Sequence, residues 1–429
     1  MHVLPWLERP APDAGGLPRP GRRRALGRVP ALTSALTTVA LLASGCGSDD
    51  AASTDATASG SSSATTASGT SPDVVAAAEA FIATLDEDQQ AKALLEFTEE
   101  NATAWSNLPC GDSCRVGVPL ADLSEEQVEL AKAVLQASLG TGGGTGYDQA
   151  TQILLADDYL GESQANGTGG GPGAGGGTMP TDAMPTDAMP TGAMPSGGAG
   201  GGAAGGMGGG SYTAYSSEDY LIGFLGTPSA DGTWELVFGG HHLATHLTYA
   251  DGAVTGASPF FIGVEPTTFT TDGTEYAPLD TMHQSMVDML AGLTDEERAT
   301  AELTEAYDDV LVGPGEDGQF PETKVGVKVG DLTAEQQELV MTAMTQWVSI
   351  ADDVTAEELL ATYRDELADT YVSWSGGTEL DEHADYVRID GPSVWIEFVC
   401  QNGIVFSDEI HYHTVYRDHT RDYGGEIAF

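Results

Sequence analysis

Apolar and polar positions along this chain follow two rhythms, and the change from one to the other is abrupt. Between residues 72 and 164 apolar side chains recur every three or four positions, as in "VELAKAVLQASL", which is the spacing of an amphipathic helix. From 219 to 263 they fall into short runs broken by "ADG" turns, which predicts an antiparallel meander. "DYVRIDGPSVWIEFVCQNG" predicts a further hairpin turning at Asp390-Gly391, and "SDEIHYHTVYRD" a strand after it. One helix-start signature, a capping residue with Glu or Gln three positions later, appears at Asp86, Ser124, Thr294, Thr333 and Thr355. Five such starts invite a repeat, but their irregular distances favour separate, well-capped helices. Helices and strands are segregated along the chain. The expected fold class is therefore α+β: a helical N-terminal region packed with an antiparallel β-sheet region that carries several capped helices.

Three segments have neither rhythm. Residues 1–46 contain the basic cluster "GRRRALGR" and a short apolar run ending in "LLASGC", which resembles the lipobox of bacterial lipoproteins with Cys46 as the lipidated residue. The run is too short for a stable membrane span, so the expectation is an exported protein anchored to the outer face of the cell membrane through one lipidated cysteine. Residues 47–71, nearly all Ser, Thr, Ala, Gly and Asp, read as a disordered tether. Residues 165–210 are glycine-rich and hold the repeat "MPTDAMPTDAMPTGAMPSG", whose proline at every fifth position forbids helix. This segment reads as a disordered insertion between a helical part, 72–164, and an α+β part, 211–429. Its methionines are thioethers suited to Cu(I), although a lightly constrained linker with a repeated codon block is the simpler explanation.

Composition narrows the function. The net charge is −49, and removing residues 1–46, with six Arg, one Glu and one Asp, takes the remainder to about −53. Lys92, Lys132, Lys324 and Lys328 are the only lysines. Such a chain repels polyanions, so nucleic acid is excluded as a partner. Besides Cys46 there are three cysteines; Cys110 and Cys114 in "LPCGDSCRVG" are placed to close a small disulfide, leaving Cys400 as a buried thiol in an apolar run. No G-x-S-x-G elbow, phosphate-binding loop or dinucleotide fingerprint is present.

Histidine is where candidate chemistry concentrates. Six of nine lie in two patches, "GGHHLATH" (His241, His242, His246) and "HYHTVYRDH" (His411, His413, His419). In a strand, residues two apart share a face, so His411 and His413 project together, with Arg417 and His419 further along the same side. Read as a strand, the first patch nominates His242 supported by His246, while the preceding glycines leave His241 as the alternative. Glu397 is a carboxylate inside the apolar run "VWIEFVC" and requires a partner: a metal, a histidine or Arg417. His241, His242, His411, His413 and Glu397 are thus the candidate ligands, with His246 and His419 less secure and Glu397 and Arg417 as catalytic candidates. Two histidines with Glu397 suit iron, and three or four histidines suit copper or zinc. The expected function is a lipid-anchored protein that binds a transition metal, possessing or lacking enzymatic turnover on a small extracellular molecule. A copper-handling module and a surface binding protein with structural histidines are the alternatives. His283 reads as a helix-face residue and His383 as a loop residue before the hairpin, with a place at the pocket's border as the lesser alternative.

"FIATLDEDQQAKALLEF", "LIGFLGTPSADGTWELVFGGHHLATHLTY", "DYVRIDGPSVWIEFVCQNG" and "HYHTVYRDHTRDYGG" occur in this order. Together they resemble the domain of unknown function 3500 family over residues 75–425 apart from the insertion. The resemblance implies a topology and an order of motifs but no activity. Its pattern matches His241, His242, Glu397, His411, His413, Arg417 and Asp418; His246 and His419 depart from it.

Overall fold

The computed structural model describes residues 71–167 and 215–429. Cys46, the tether and nearly all of the glycine–methionine insertion lie outside the described residues. Among those described, no helix is long and apolar enough to cross a membrane.

The chain begins with α1 (Ser71–Ile82), α2 (Glu87–Ala93), β1 (Leu94–Leu95), α3 (Glu99–Ala102), β2 (Val118–Pro119), α4 (Glu125–Ser138) and α5 (Gly146–Ala165). The expected meander follows as β3 (Leu221–Leu225), β4 (Thr233–Gly240), β5 (Leu243–Ala250), β6 (Ala253–Gly256) and β7 (Phe260–Val264), then a small hairpin of β8 (Phe269–Thr271) and β9 (Thr274–Tyr276). Next come α6 (Asp280–Ala291), α7 (Asp295–Ala301), β10 (Val327–Lys328), α8 (Ala334–Val348), α9 (Asp353–Glu366), β11 (Tyr371–Ser375), β12 (Tyr386–Asp390), β13 (Val394–Asn402) and β14 (Ile410–Asp418). The α+β expectation holds. The N-terminal region is not purely helical, however: β1 and β2 both pair with β3, so residues 72–164 belong to the same sheet as the rest.

The sheet runs β1-β3-β4-β5-β7-β14-β13-β12-β11-β10 and has an antiparallel seam between β7 and β14. Outward from that seam the two sides are alike, because the chain contains one unit twice. Gly117 and Gly326 open the short strands β2 and β10 with φ of 119° and 116°. The Leu120 N–H donates to Tyr220 O at 2.8 Å, as the Val329 N–H does to Thr370 O at 2.8 Å. Gln127 Nε2 donates to Thr84 O at 2.8 Å, and Gln336 Nε2 to Gly292 O at 3.0 Å. Arg115 Nη2 donates to Gly240 O at 2.8 Å at the β4–β5 turn, and Lys324 Nζ to Gly391 O at 2.6 Å at the β12–β13 turn.

The recurring helix signature is therefore a true repeat, contrary to the reading of separate helices. Capping boxes form at Asp86, Ser124, Thr294 and Thr333, and the spacing of the first pair nearly equals that of the second. The insertions after each pair, which differ in length, disguise the period. Thr355 is not a start: Asp352 caps α9, and the Thr355 hydroxyl donates to it at 2.6 Å.

Helices α6, α8 and α9 cover one face of the sheet. Trp347 of α8 donates its indole N–H to Thr414 Oγ1 at 2.6 Å, Tyr363 of α9 bonds Tyr416, and His283 of α6 stacks on Tyr412 at 5.2 Å. His283 is thus a helix-face residue, as expected. Alternation along β14 sends His411, His413, Val415 and Arg417 to the opposite face, which loops 103–117 and 302–326 cover. That face holds the candidate site.

At Gly326 a Cβ would run into Val372 O, and the φ is one that L-residues rarely adopt. Gly326→Val is expected to destabilise the fold by about 3 kcal/mol or more, and Gly117→Val, whose Cβ would lie 2.9 Å from Ile222 C and O, to do likewise. Urea unfolding of each variant measures this.

Candidate metal centre

The His241-His242 pair is not part of a strand. Gly240 pairs with Leu243, so the two histidines form the two-residue turn of the β4–β5 hairpin. His242 has φ of 61°, an uncommon conformation for a residue with a side chain. The Gly263 N–H donates to His242 O at 2.8 Å and ties the turn to β7. β7 in turn pairs with β14, Gly263 opposite His413. A Cβ at position 263 would lie 3.0 Å from Cδ2 of both His242 and His413, so glycine is what lets the two rings approach.

His242, His411 and His413 are buried and each offers a nitrogen within 4.8 Å of the others. His411 Nε2 and His413 Nε2 are 3.2 Å apart. Two nitrogens each about 2.1 Å from a tetrahedral ion would be roughly 3.4 Å apart, so this spacing is close to that of two ligands. His242 Nδ1 and His411 Nδ1 are buried without a hydrogen-bond partner. His413 Nδ1 lies 3.0 Å from Asp309 Oδ1, with Asn107 Nδ2 at 3.5 Å. An N–H there donates to the carboxylate and turns the Nε2 lone pair towards His411, the arrangement in which a carboxylate orients a metal-binding imidazole. Burial works against ionisation of Asp309, but its bond to His413 and the attraction of that ring leave its pKa lowered.

His241 faces a second partner. Its Nδ1 lies 2.8 Å from Oδ1 of Asp157, a buried residue of α5 whose Oδ2 accepts from the Tyr220 hydroxyl at 2.8 Å. Asp157, His241 and His242 form a second group with ligand atoms within 4.8 Å. Both members of the pair that spacing left undecided therefore reach the site, His242 towards β14 and His241 towards α5. The repeat supplies a contrast: the equivalent turn after β12 carries Pro392-Ser393, and Glu366 of α9 accepts from Ser393 N and Oγ at 3.0 and 2.8 Å.

The remaining candidates are elsewhere. His246 lies 3.0 Å from Glu235 Oε1 and packs against Trp105 and Tyr423. His419 follows the end of β14 and lies against Phe320. His383 is not among the residues lining the site cavity. Glu397 is not a ligand: Oε1 accepts from Leu311 N and Tyr386 Oη at 2.7 Å each, and Oε2 from Val312 N at 3.0 Å and Trp395 Nε1 at 2.8 Å. Burial raises its pKa, and these four donors oppose the rise. Arg417 is fully buried and not available to a substrate. It donates to Asp317 and Asp422 at 2.7 Å each, and to Val312 O at 3.2 Å. Glu397 and Arg417 thus clamp loop 302–326, which carries Asp309, onto the sheet.

The loop carrying Asn107 is held in a parallel way. Cys110 and Cys114 are disulfide-bonded, as expected, and Cys400 is a buried free thiol. Arg115 donates to the carbonyls of Ser106 and Gly240 at 2.8 Å each. Between the two loops and the histidines lies a cavity of about 640 Å³, lined by His241, His242, His411, His413, Asp309 and Glu265 among others.

Sequence reasoning missed Asp309, Asp157, Asn107 and Glu265. Only Asp157 left a signal, an acid within the apolar helical run "QILLADDYL".

The fold and this site define an α+β protein with a buried histidine cluster able to hold a metal ion. The chain belongs to the family described as Protein of unknown function (DUF3500), which it matches over residues 67–425. No curated protein and no solved structure matches it.

Burial, then the neighbouring His413 and His241, lower the His411 pKa from 6.5 to about 3. The unfolded chain therefore binds a proton below pH 6.5 that the folded chain refuses down to about pH 3, and stability falls across that window. In chelator, lowering the pH from 7 to 5 is expected to cost roughly 2 kcal/mol through this residue. His411→Gln should show a correspondingly shallower loss, as read by urea unfolding at each pH. Glu397→Ala should cost about 3–5 kcal/mol by orphaning four buried donors, measured in the same way.

Proposed function

We propose that this protein is an exported, lipid-anchored metalloprotein in which His242, His411 and His413 hold one transition-metal ion. In this reading the three histidines would hold the ion at the cavity wall, where it would supply its chemistry to a small extracellular molecule. The convergence of three buried imidazoles from two chain segments carries the proposal: His411 Nε2 and His413 Nε2 lie 3.2 Å apart, and His242 Nδ1 is buried with no hydrogen bond, which is costly unless an ion takes its lone pair. Imidazole suits zinc, copper and iron alike. Three protein ligands leave a position open, and an ion so held lowers the pKa of a coordinated water and polarises a carbonyl.

The chain's own residues would do the rest. Asp309 holds the proton on His413 Nδ1 and so keeps Nε2 free to coordinate. The loops around Asn107 and Asp309 shield the site from bulk water, and His241, fixed by Asp157, stands at the cavity wall where it can accept or return a proton. The disulfide accords with an oxidising exterior, and the lipobox-like "LLASGC" supports anchorage through Cys46.

Elemental analysis and metal titration of protein purified without a histidine tag test the reading. One ion per chain is expected. His411→Ala or His413→Ala should weaken binding roughly a hundredfold or more, and Asp309→Ala by about 10–100-fold. His246→Gln and His419→Gln should bind as the unaltered chain does. Metal-free protein at saturating zinc, copper and iron would overturn the proposal, whereas a bound ion with no hydrolytic or oxidative turnover would make it a metal-handling module.

A further inference from the structure

The cavity beside the histidines has acidic walls. Asp309, Glu265 and Glu316 line it, and no lysine or arginine does among the described residues. The nearest cations are already engaged: Arg115 by backbone carbonyls, Arg417 by Asp317 and Asp422. Nothing in the wall would therefore neutralise a carboxylate or phosphate.

Glu265 is the most telling of these groups. It is only 2% exposed, immediately after β7. Oε1 accepts from the N–H groups of Val405 and Phe406 at 2.7 and 2.8 Å, which fixes the side chain. Oε2 takes no hydrogen bond from any described residue, and Glu265 lines the cavity. Glu265 directly follows Val264, which pairs with Tyr412, and it lines the same cavity as His411 and His413. A buried carboxylate with one oxygen anchored and the other turned to a cavity is a receptor for positive charge. Tyr215 lines the same cavity and adds an aromatic ring.

We propose that the cavity selects a small organic cation, an ammonium-bearing molecule whose charged group is received by Glu265 Oε2 while another of its atoms faces the histidines. The inference rests on the metal reading above: an ion held by the histidines would receive the reacting atom, and the acidic wall would sort what is attached to it. Glu265 is a specificity residue here. It is not a ligand, because its oxygens fall outside both groups of convergent metal-ligating atoms.

The test uses the full chain loaded with cobalt(II), whose visible bands report ligands entering the coordination sphere. Three hydroxamates are titrated: 4-aminobutyrohydroxamate, cationic; acetohydroxamate, neutral; and succinic monohydroxamate, anionic. The expected order of affinity is cationic, neutral, anionic, with about tenfold or more between the ends. Glu265→Gln keeps the Oε1 acceptor for Val405 and Phe406 but replaces the open oxygen with an amide. In that variant the cobalt bands of the ligand-free protein should be unchanged and the spread should shrink to about threefold or less. Equal affinities, an anionic preference, a spread that survives Glu265→Gln, or no spectral response to any hydroxamate would overturn the proposal. Failure of cobalt to bind at all would remove the metal reading first, and this inference with it.

Discussion

The pairing of β7 with β14 governs everything else in this molecule. Among the described strands it is where the two repeated units join in the sheet, and its register puts Gly263 opposite His413. Shift that register by one residue and His411 and His413 turn towards the helices, where Trp347 and Tyr363 now engage Thr414 and Tyr416. The register is held because the even-numbered residues of β14 are matched to the helical layer. Packing on one face therefore fixes the geometry of the other.

Polar groups on the loop face do structural work that resembles chemistry when seen in sequence. Glu397 and Arg417 are both buried on the strands that carry or flank the histidines, yet each ties itself to loop 302–326, Glu397 through Leu311 and Val312 and Arg417 through Val312 and Asp317. Arg417 loses hydration in the core but is compensated by two carboxylates and a carbonyl, and Glu397 by four donors. Such fully satisfied networks rigidify what they hold. What they hold here is the stretch bearing Asp309, so their influence on the histidines is transmitted through position.

Much of this was legible in the residues. Alternation in "HYHTVYRD" placed His411 and His413 on one face because a strand has only two faces. The capping boxes located four helix starts because their hydrogen bonds are local. Three things escaped. The turn at His241-His242 was read as strand, since the glycines before it signal a bend without saying where it falls. The repeat was hidden by insertions of different length. Asp309 and Glu265 were invisible among 65 acidic residues, and Asp157 showed only as an acid in an apolar helical run, because only the fold distinguishes a carboxylate beside an imidazole from one in solvent. Glu397 does need partners, but it finds them in two backbone amides and in the Tyr386 and Trp395 side chains, and the backbone half has no signature in composition.

The histidine cluster draws its members from both repeated units: the turn from one, the strand from the other. An ion seated among them would act as a brace across the molecule's midline. Since an unfolded chain offers no such grip, bound metal would add stability that grows with its free concentration, about 2.7 kcal/mol at a hundred times the dissociation constant. Heat resistance of this protein would then report the metal content of its surroundings, quite apart from anything the site does to a substrate.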